Sequence, residues 1–209
     1  FAGKYITSGV QILRLTGDTA LRRHLAGFVA EFVSLQADDG YLGPWPQDCR
    51  LTGKAPNASL SRNRHSPTWD AWGHYHAMLG LLLWHEETGD RPALQCTARM
   101  ADLLCEKFLG QRRRGRRLVD TGSTEMNLAP VHSLCILHTR TGDSRYLDLA
   151  VQIVAEFAAT NADGAALAGD YLNTGVGGVE FFETPKPRWE SLHPIMGLVE
   201  LYYITGDAR

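Results

Sequence analysis

The chain has 209 residues, 44% hydrophobic and 21% charged, a balance that fits a soluble globular protein with a sizeable core. Its formal net charge of −2 leaves no broad electrostatic footprint for nucleic acid or an anionic membrane, so neither is an expected partner. No uninterrupted apolar run reaches the roughly 18–20 residues of a membrane span; the longest, Met78-Leu79-Gly80-Leu81-Leu82-Leu83-Trp84, reads as a core helix segment.

Helical period begins at once. Phe1-Ala2-Gly3-Lys4-Tyr5 opens a helix that runs through Ile12-Leu13-Arg14-Leu15 and meets Thr16-Gly17-Asp18. The same tripeptide returns at Thr88-Gly89-Asp90, Thr141-Gly142-Asp143 and Thr205-Gly206-Asp207, each time after an apolar run of helical period. Glycine supplies a left-handed residue that ends one helix without a Cβ clash. The aspartate then accepts hydrogen bonds from the free N–H groups opening the next helix. Four copies therefore predict a repeated helix–turn–helix hairpin.

The second member of each hairpin is amphipathic: Leu21, Leu25, Phe28, Val29, Phe32 and Val33 recur at three- and four-residue steps, as do Leu94, Ala98, Ala101, Leu104, Cys105 and Phe108. Leu147, Ala150, Ile153, Val154 and Phe157 repeat the pattern. The first members, such as Trp69 to His76 and Val131 to His138, are apolar on more sides and carry aromatics and histidines. First members are thus expected to be inner helices and second members outer ones. The uneven spacing of the four copies fits a toroid of inner and outer helices better than a small solenoid repeat of fixed period. Long connections at Asp38–Pro67, Gly110–Ser123 and Asn161–Lys186 are rich in Gly, Pro, Asn and Asp, as functional rim loops often are. Nothing marks a second domain, so residues 1–209 read as one partial domain. Phe1 stands without an initiator Met, and Asp207 is placed to cap a further helix, so a piece of a longer protein is expected.

Cys49, Cys96, Cys105 and Cys135 form no CxxC pair and read as buried thiols, favouring a reducing compartment over a disulfide or metal site. The basic run Arg112-Arg113-Arg114-Gly115-Arg116-Arg117 has no interleaved aromatics and reads as a solvated loop. Asn57-Ala58-Ser59 matches a glycosylation triplet, without a secretory signal beside it.

Several segments together resemble glycoside hydrolase family 127, the β-L-arabinofuranosidases and their relatives. They are Phe1 to Tyr5 leading into the first Thr-Gly-Asp, Asp39-Gly40-Tyr41-Leu42-Gly43, and the Gly73-His74 helix ending at the second copy. Arg145-Tyr146-Leu147-Asp148-Leu149-Ala150 follows the third copy in the same way. Glu125-Met126-Asn127-Leu128-Ala129-Pro130 and Lys186-Pro187-Arg188-Trp189-Glu190-Ser191-Leu192-His193-Pro194 are similar to one branch of those relatives. The resemblance implies an all-α fold, an (α/α)6 barrel of which about four of six hairpins are present. It implies retaining hydrolysis of a terminal β-L-arabinofuranosyl group, with a glutamate as acid/base and a zinc-bound cysteine thiolate as nucleophile. The family's acid/base glutamate and its Glu-x-Cys-Cys zinc cluster correspond to nothing in these residues. No catalytic residue, no zinc site and no other cofactor is therefore expected within this piece. Zinc, the rest of the barrel and a C-terminal β domain are expected of the full-length protein. His74 corresponds to a family histidine that touches the sugar. Glu125 aligns with a glutamate of the third inner helix, while Ser123 stands where a second sugar-contacting histidine would be.

Substrate-binding candidates gather at inner-helix starts. Trp69, Asp70, Trp72, His74 and His76 lie near one start, and a furanose needs an aromatic face for its C–H groups and polar partners for its hydroxyls. The same residues also read as core tryptophans and satisfied histidines. Glu125 opens the third inner helix, where the helix dipole alone favours an acid. Trp189, Glu190 and His193 open the fourth, just after Pro185 and Pro187, and read either as a sugar rim or as capping and packing. His132 and His138 sit deeper in an apolar helix and read as core. Two other readings stand beside a carbohydrate-binding part of a family 127-like hydrolase. One is another (α/α) barrel enzyme, such as an unsaturated glucuronyl hydrolase or sugar epimerase, with Asp70, Glu125 and Glu190 as acid/base candidates. The other is a non-catalytic helical scaffold, which has no need of such clusters.

Overall fold

The computed structural model describes residues 1–56, 68–111, 117–165, 167, 180–183 and 189–207. The Asn57 triplet, Arg112 to Arg116, and Pro185 and Pro187 lie outside the described residues. The fold is all-α, with α1 at Ala2–Thr16, α2 at Thr19–Ser34, α3 at Asp70–Thr88 and α4 at Arg91–Phe108. The four-residue α5 at Thr124–Asn127 precedes α6 at Pro130–Thr141, α7 at Ser144–Glu156 and α8 at Leu192–Thr205. Short 3-10 turns stand at Leu118–Thr121, Phe181–Glu183 and Trp189–Ser191.

All four Thr-Gly-Asp copies end a helix, and their glycines all take the left-handed conformation, with φ of 64°, 75°, 75° and 71° at Gly17, Gly89, Gly142 and Gly206. Each glycine N–H donates to the carbonyl four residues back, at 2.8, 2.7, 2.7 and 2.8 Å. Threonine does more than its sequence position suggests. Its hydroxyl donates to the carbonyl of residue i−4, as Thr141 does to Leu137 at 2.8 Å, and accepts the aspartate N–H, from Asp143 at 3.3 Å. Thr16, Thr88 and Thr205 repeat both bonds. The aspartate then caps the next helix: Asp18 accepts from Ala20 and Leu21, Asp90 from Ala93, and Asp143 from Arg145. Two copies add a histidine. His85 Nδ1 lies 3.0 Å from the Asp90 carbonyl oxygen and His138 Nδ1 lies 2.9 Å from that of Asp143. A carbonyl only accepts, so both rings carry their proton on Nδ1.

The chain divides into two compact units, one of Phe1–Pro44 and Gly73–Glu106, the other of Trp45–Trp72 and Lys107–Arg209. In the first, α1 packs on α2 and meets α3 at very close range. A Cβ on Gly3 would lie 2.1 Å from the His76 backbone, and one on Gly80 would lie 2.6 Å from the Gly3 carbonyl oxygen. Only glycine permits that approach. Arg14 and Arg22 pair with Glu87 at 3.2 and 2.8 Å across the same unit. In the second unit α6 packs on α7 and on α8. Gly197 of α8 repeats the device, since a Cβ there would lie 2.4 Å from Val131 Cγ1.

Burial follows the inner and outer expectation for α3 and α6, whose residues are buried on nearly every side. The amphipathic α2 buries only Leu25 and Val29. The expectation does not extend to α1 and α8. Ile12 and Leu15 of α1, and Met196, Val199, Tyr202 and Tyr203 of α8, stand exposed. Among the described residues no neighbour covers these side chains, so part of the apolar surface of each helix is left uncovered.

One loop end is held by a buried acid. Glu156 of α7 accepts the Val119 N–H at 3.0 Å and the Gln152 amide at 2.9 Å, while Gln152 also donates to Phe108 and accepts the Gly110 N–H. The Glu156–Gln152 pair therefore ties both ends of the segment between α4 and the first 3-10 turn. Burial raises the Glu156 carboxyl above its ordinary range, against the lowering effect of these donors.

The turn chemistry predicts separable costs. Around Gly142 an added Cβ meets nothing within 4 Å, so Gly142→Ala carries only backbone strain, about 1–2 kcal/mol. Thr141→Val keeps the shape and removes the hydroxyl, costing about 1 kcal/mol. Urea titration of both variants checks this; a Thr141→Val midpoint equal to that of the parent chain would show the hydroxyl to be idle.

Candidate functional site

The second unit gathers three aromatic side chains. The 3-10 turn at Trp189–Ser191 runs directly into α8, so Trp189 and His193 stand four residues apart and face the same side. Their ring centroids are 5.3 Å apart with an interplanar angle of 76°. Trp72, in the first turn of α3, meets Trp189 at 5.7 Å and His193 at 4.9 Å, both edge to face. That is the arrangement ring quadrupoles favour. Trp72 is buried, whereas Trp189 keeps 52% of its surface exposed. His132 of α6 stands near His193, and the glycine contact at position 197 brings the two helices close there, 2.9 Å separating a would-be Cβ from the His132 backbone nitrogen. Burial, and then the charge of His193, pull the His132 imidazole down to about 4. His132 is therefore neutral near pH 7.

The start of α3 is built by two side chains of the same unit. Asp70 is buried, and its Oδ2 accepts the Leu51 N–H at 2.7 Å. Leu51 has φ of 57°, a left-handed conformation that costs a side-chain-bearing residue about 1–2 kcal/mol. A charge-assisted hydrogen bond of about 1.5–3 kcal/mol offsets it. Asn127, at the end of α5, is 1% exposed and bonds four groups. Its Oδ1 accepts the Trp72 N–H at 3.3 Å, and its Nδ2 faces the Thr68 carbonyl at 3.0 Å, the Gly122 carbonyl at 2.9 Å and the Thr121 hydroxyl at 3.2 Å.

The remaining candidates are distributed as follows. Trp69, just before α3, is 57% exposed. Glu125 is half-buried in α5, and Glu190 is half-buried in the turn leading into α8. His74 and His76 belong to the first unit and are buried there. The His74 ring lies 4.9 Å from that of Tyr41, and the His76 ring 4.7 Å from that of Tyr75. Of the candidates, then, Trp72, Trp189 and His193 are brought together as rings, and Asp70, two residues before Trp72, has its carboxylate on the Leu51 backbone. Asn127 was not among the candidates. The signal for it was a carboxamide inside the apolar run Met126 to Val131, where a buried polar group demands partners.

A zinc site does not fit the described residues. Among the described residues no group of three or more His, Cys, Asp or Glu side chains is close enough to hold a metal ion. The four cysteines are buried thiols that form no disulfide with one another. Burial pushes the Cys96 thiol up to about 11 and the Cys135 thiol to about 12, so both keep their protons near neutral pH.

These hairpins place the chain in a known class of all-α domain. Its fold is similar to that of a solved GH127 β-arabinofuranosidase, with a TM-score of 0.63 and 18% sequence identity over 99% of this chain and 31% of that one. The chain thus spans about a third of the length of that structure. The model of the family described as "Beta-L-arabinofuranosidase, GH127 catalytic domain" matches residues 1–209, and the chain belongs to that family. No curated protein matches it by sequence.

Two outcomes follow from the site's electrostatics. An unfolded histidine takes up its proton below about 6.5, whereas folded His132 does so only near 4. Between these values the unfolded chain binds more protons, so stability is full above pH 6.5 and falls as the pH drops toward 4, by on the order of 3 kcal/mol. His132→Gln should flatten that slope in denaturation midpoints measured across the window; an unchanged slope would assign it to other groups. For metal, a chelator should leave the unfolding midpoint unchanged, and the four thiols should react with an aromatic disulfide reagent only on unfolding. A midpoint lowered by the chelator would reveal a bound ion.

Proposed function

We propose that this chain forms part of a retaining glycoside hydrolase acting on terminal L-arabinofuranosyl or related sugars of plant-type glycans. The observation that carries the reading is the Trp72–Trp189–His193 cluster, in which a half-exposed indole stands beside an imidazole, with half-buried Glu190 the next residue of the chain after Trp189. An indole face receives the C–H groups of a sugar, and the flanking polar groups receive its hydroxyls. Family membership supports the reaction class. Within it Trp69, Asp70, Trp72, Glu125, Trp189, Glu190 and His193, together with His74 and His76, are the substrate-binding candidates.

In this reading the chain binds and orients rather than performing the bond-breaking step. The acid/base glutamate, the thiolate nucleophile and the zinc that keeps such a thiolate deprotonated are supplied by other parts of the full-length enzyme. The test uses the full-length protein with p-nitrophenyl β-L-arabinofuranoside. We expect release of p-nitrophenol with retention of configuration, and a KM raised about tenfold or more by Trp189→Ala, as loss of an aromatic stacking contact implies. Turnover of an unsaturated glucuronide instead, or a KM indifferent to Trp189, would refute the assignment.

A further inference from the structure

We propose that Asn127 is a positioning residue for sugar binding, its carboxamide fixing the place of Trp72 in the Trp72–Trp189–His193 cluster. The proposal rests on the reading of that cluster as a sugar subsite. The first N–H groups of any helix have no partner within it. At α3 the preceding residue is Trp69, whose indole can donate but not accept. The acceptor is imported from a position 55 residues later in the chain, as Asn127 Oδ1 takes the N–H of Trp72 itself. The residue so held is the one whose ring meets both Trp189 and His193.

The other side of the carboxamide anchors Asn127 in turn. Its Nδ2, with two hydrogens to donate, is shared among the Thr68 and Gly122 carbonyls and the Thr121 hydroxyl, all within 3.2 Å. One side chain therefore joins the strand of chain entering α3, the first turn of α3, and the 3-10 turn with its exit. Only an amide does this at that size, because the site needs an acceptor toward one partner and a donor group, the two-hydrogen NH2, toward a cluster of three oxygens. Aspartate has the same shape but turns the donor side into a second acceptor facing three others. Leucine has the volume and neither function. Binding sites lose effect when a contacting group shifts by more than about 0.5 Å, and Trp72 belongs to a different segment from Trp189 and His193. The bond to its backbone is what registers one segment against the other.

The test again uses the full-length protein and p-nitrophenyl β-L-arabinofuranoside. At pH 7 Asn127→Asp should raise KM about tenfold, the equivalent of one lost buried hydrogen bond, with kcat within about threefold of the parent. A carboxyl buried among oxygens has its pKa raised and regains a donor on protonation. The KM defect of Asn127→Asp should therefore shrink, relative to the parent, as the pH falls to about 5, while that of Asn127→Leu should not. In a Trp72→Phe background Asn127→Asp should add no more than about a twofold effect, since a residue acting through Trp72 cannot act twice. Thr121→Val, which removes one anchor and keeps the volume, gives the same shift at about two- to threefold and covers the case in which Asn127→Asp does not fold. A fall in kcat at constant KM, or full additivity with Trp72→Phe, would overturn the proposal. If the parent enzyme releases no p-nitrophenol, it is the proposed function that fails. The near-ultraviolet tryptophan circular dichroism of Asn127→Asp then decides the positioning role: a changed band restored at low pH supports it, and an unchanged band overturns it.

Discussion

The left-handed glycine of the Thr-Gly-Asp turn is the constraint on which every hairpin depends. It turns the chain sharply enough for the aspartate that follows it to cap a second helix, while threonine closes the gap by bonding to both sides. Nothing in this device reaches beyond about ten residues of chain. It can therefore recur unchanged at positions 16, 88, 141 and 205 although the intervening loops differ in length. Local additions then individualise the copies. Asp90 also receives the Trp84 indole N–H at 2.9 Å, and Asp143 pairs with the Arg145 guanidinium at 2.6 Å. The two copies that recruit a histidine follow α3 and α6, the helices buried on nearly every side, where an extra polar tie at the exposed end opposes fraying.

A second constraint is the distance between helices, and glycine sets it too. Gly3 and Gly80 in the first unit, and Gly197 in the second, stand where any side chain would enter a neighbouring helix. In the second unit this closeness has a chemical result. Gly197 lies one helical turn beyond His193, so seating α8 against Val131 also brings His193 beside His132. The deeper imidazole then stays neutral because burial and its neighbour both oppose its charge. A packing choice at a glycine thus becomes an electrostatic property of the ring cluster.

What was legible in the sequence divides along the same physical line. The turns, the caps and the amphipathic stripes of α2, α4 and α7 are local, and their residues announce them. The uniformly apolar pattern of α8 was legible as well, but its exposed Met196, Val199 and Tyr203 were not, because exposure depends on what packs beside a helix rather than on the helix. Asp70 shows the same limit at the site. An acid at a helix start reads equally as a sugar partner or as a favourable charge near the dipole. Its actual partner is the N–H of Leu51, a residue in a conformation that no leucine advertises. Asn127 is the clearest case: its partners lie 5, 6, 55 and 59 residues away, and only the folded chain reveals them.

The titration pattern argues for the kind of work these residues do. A nucleophile or a general acid operating near neutral pH needs a proton affinity poised near that range. The strongly shifted groups of this chain move the other way. Cys96 and Cys135 hold their protons more tightly than an ordinary thiol, and His132 refuses one until about pH 4. Glu156, the buried acid with a raised carboxyl, spends both oxygens on a backbone N–H and an amide of its own framework. Each is locked into one protonation state or one structural partner. Among the described residues the half-exposed Trp189 stands apart from these, its ring against His193 and Trp72, whose backbone N–H is held by Asn127. On the proposed reading such a set would recognise a polyol by shape and hydrogen bonds rather than by proton transfer.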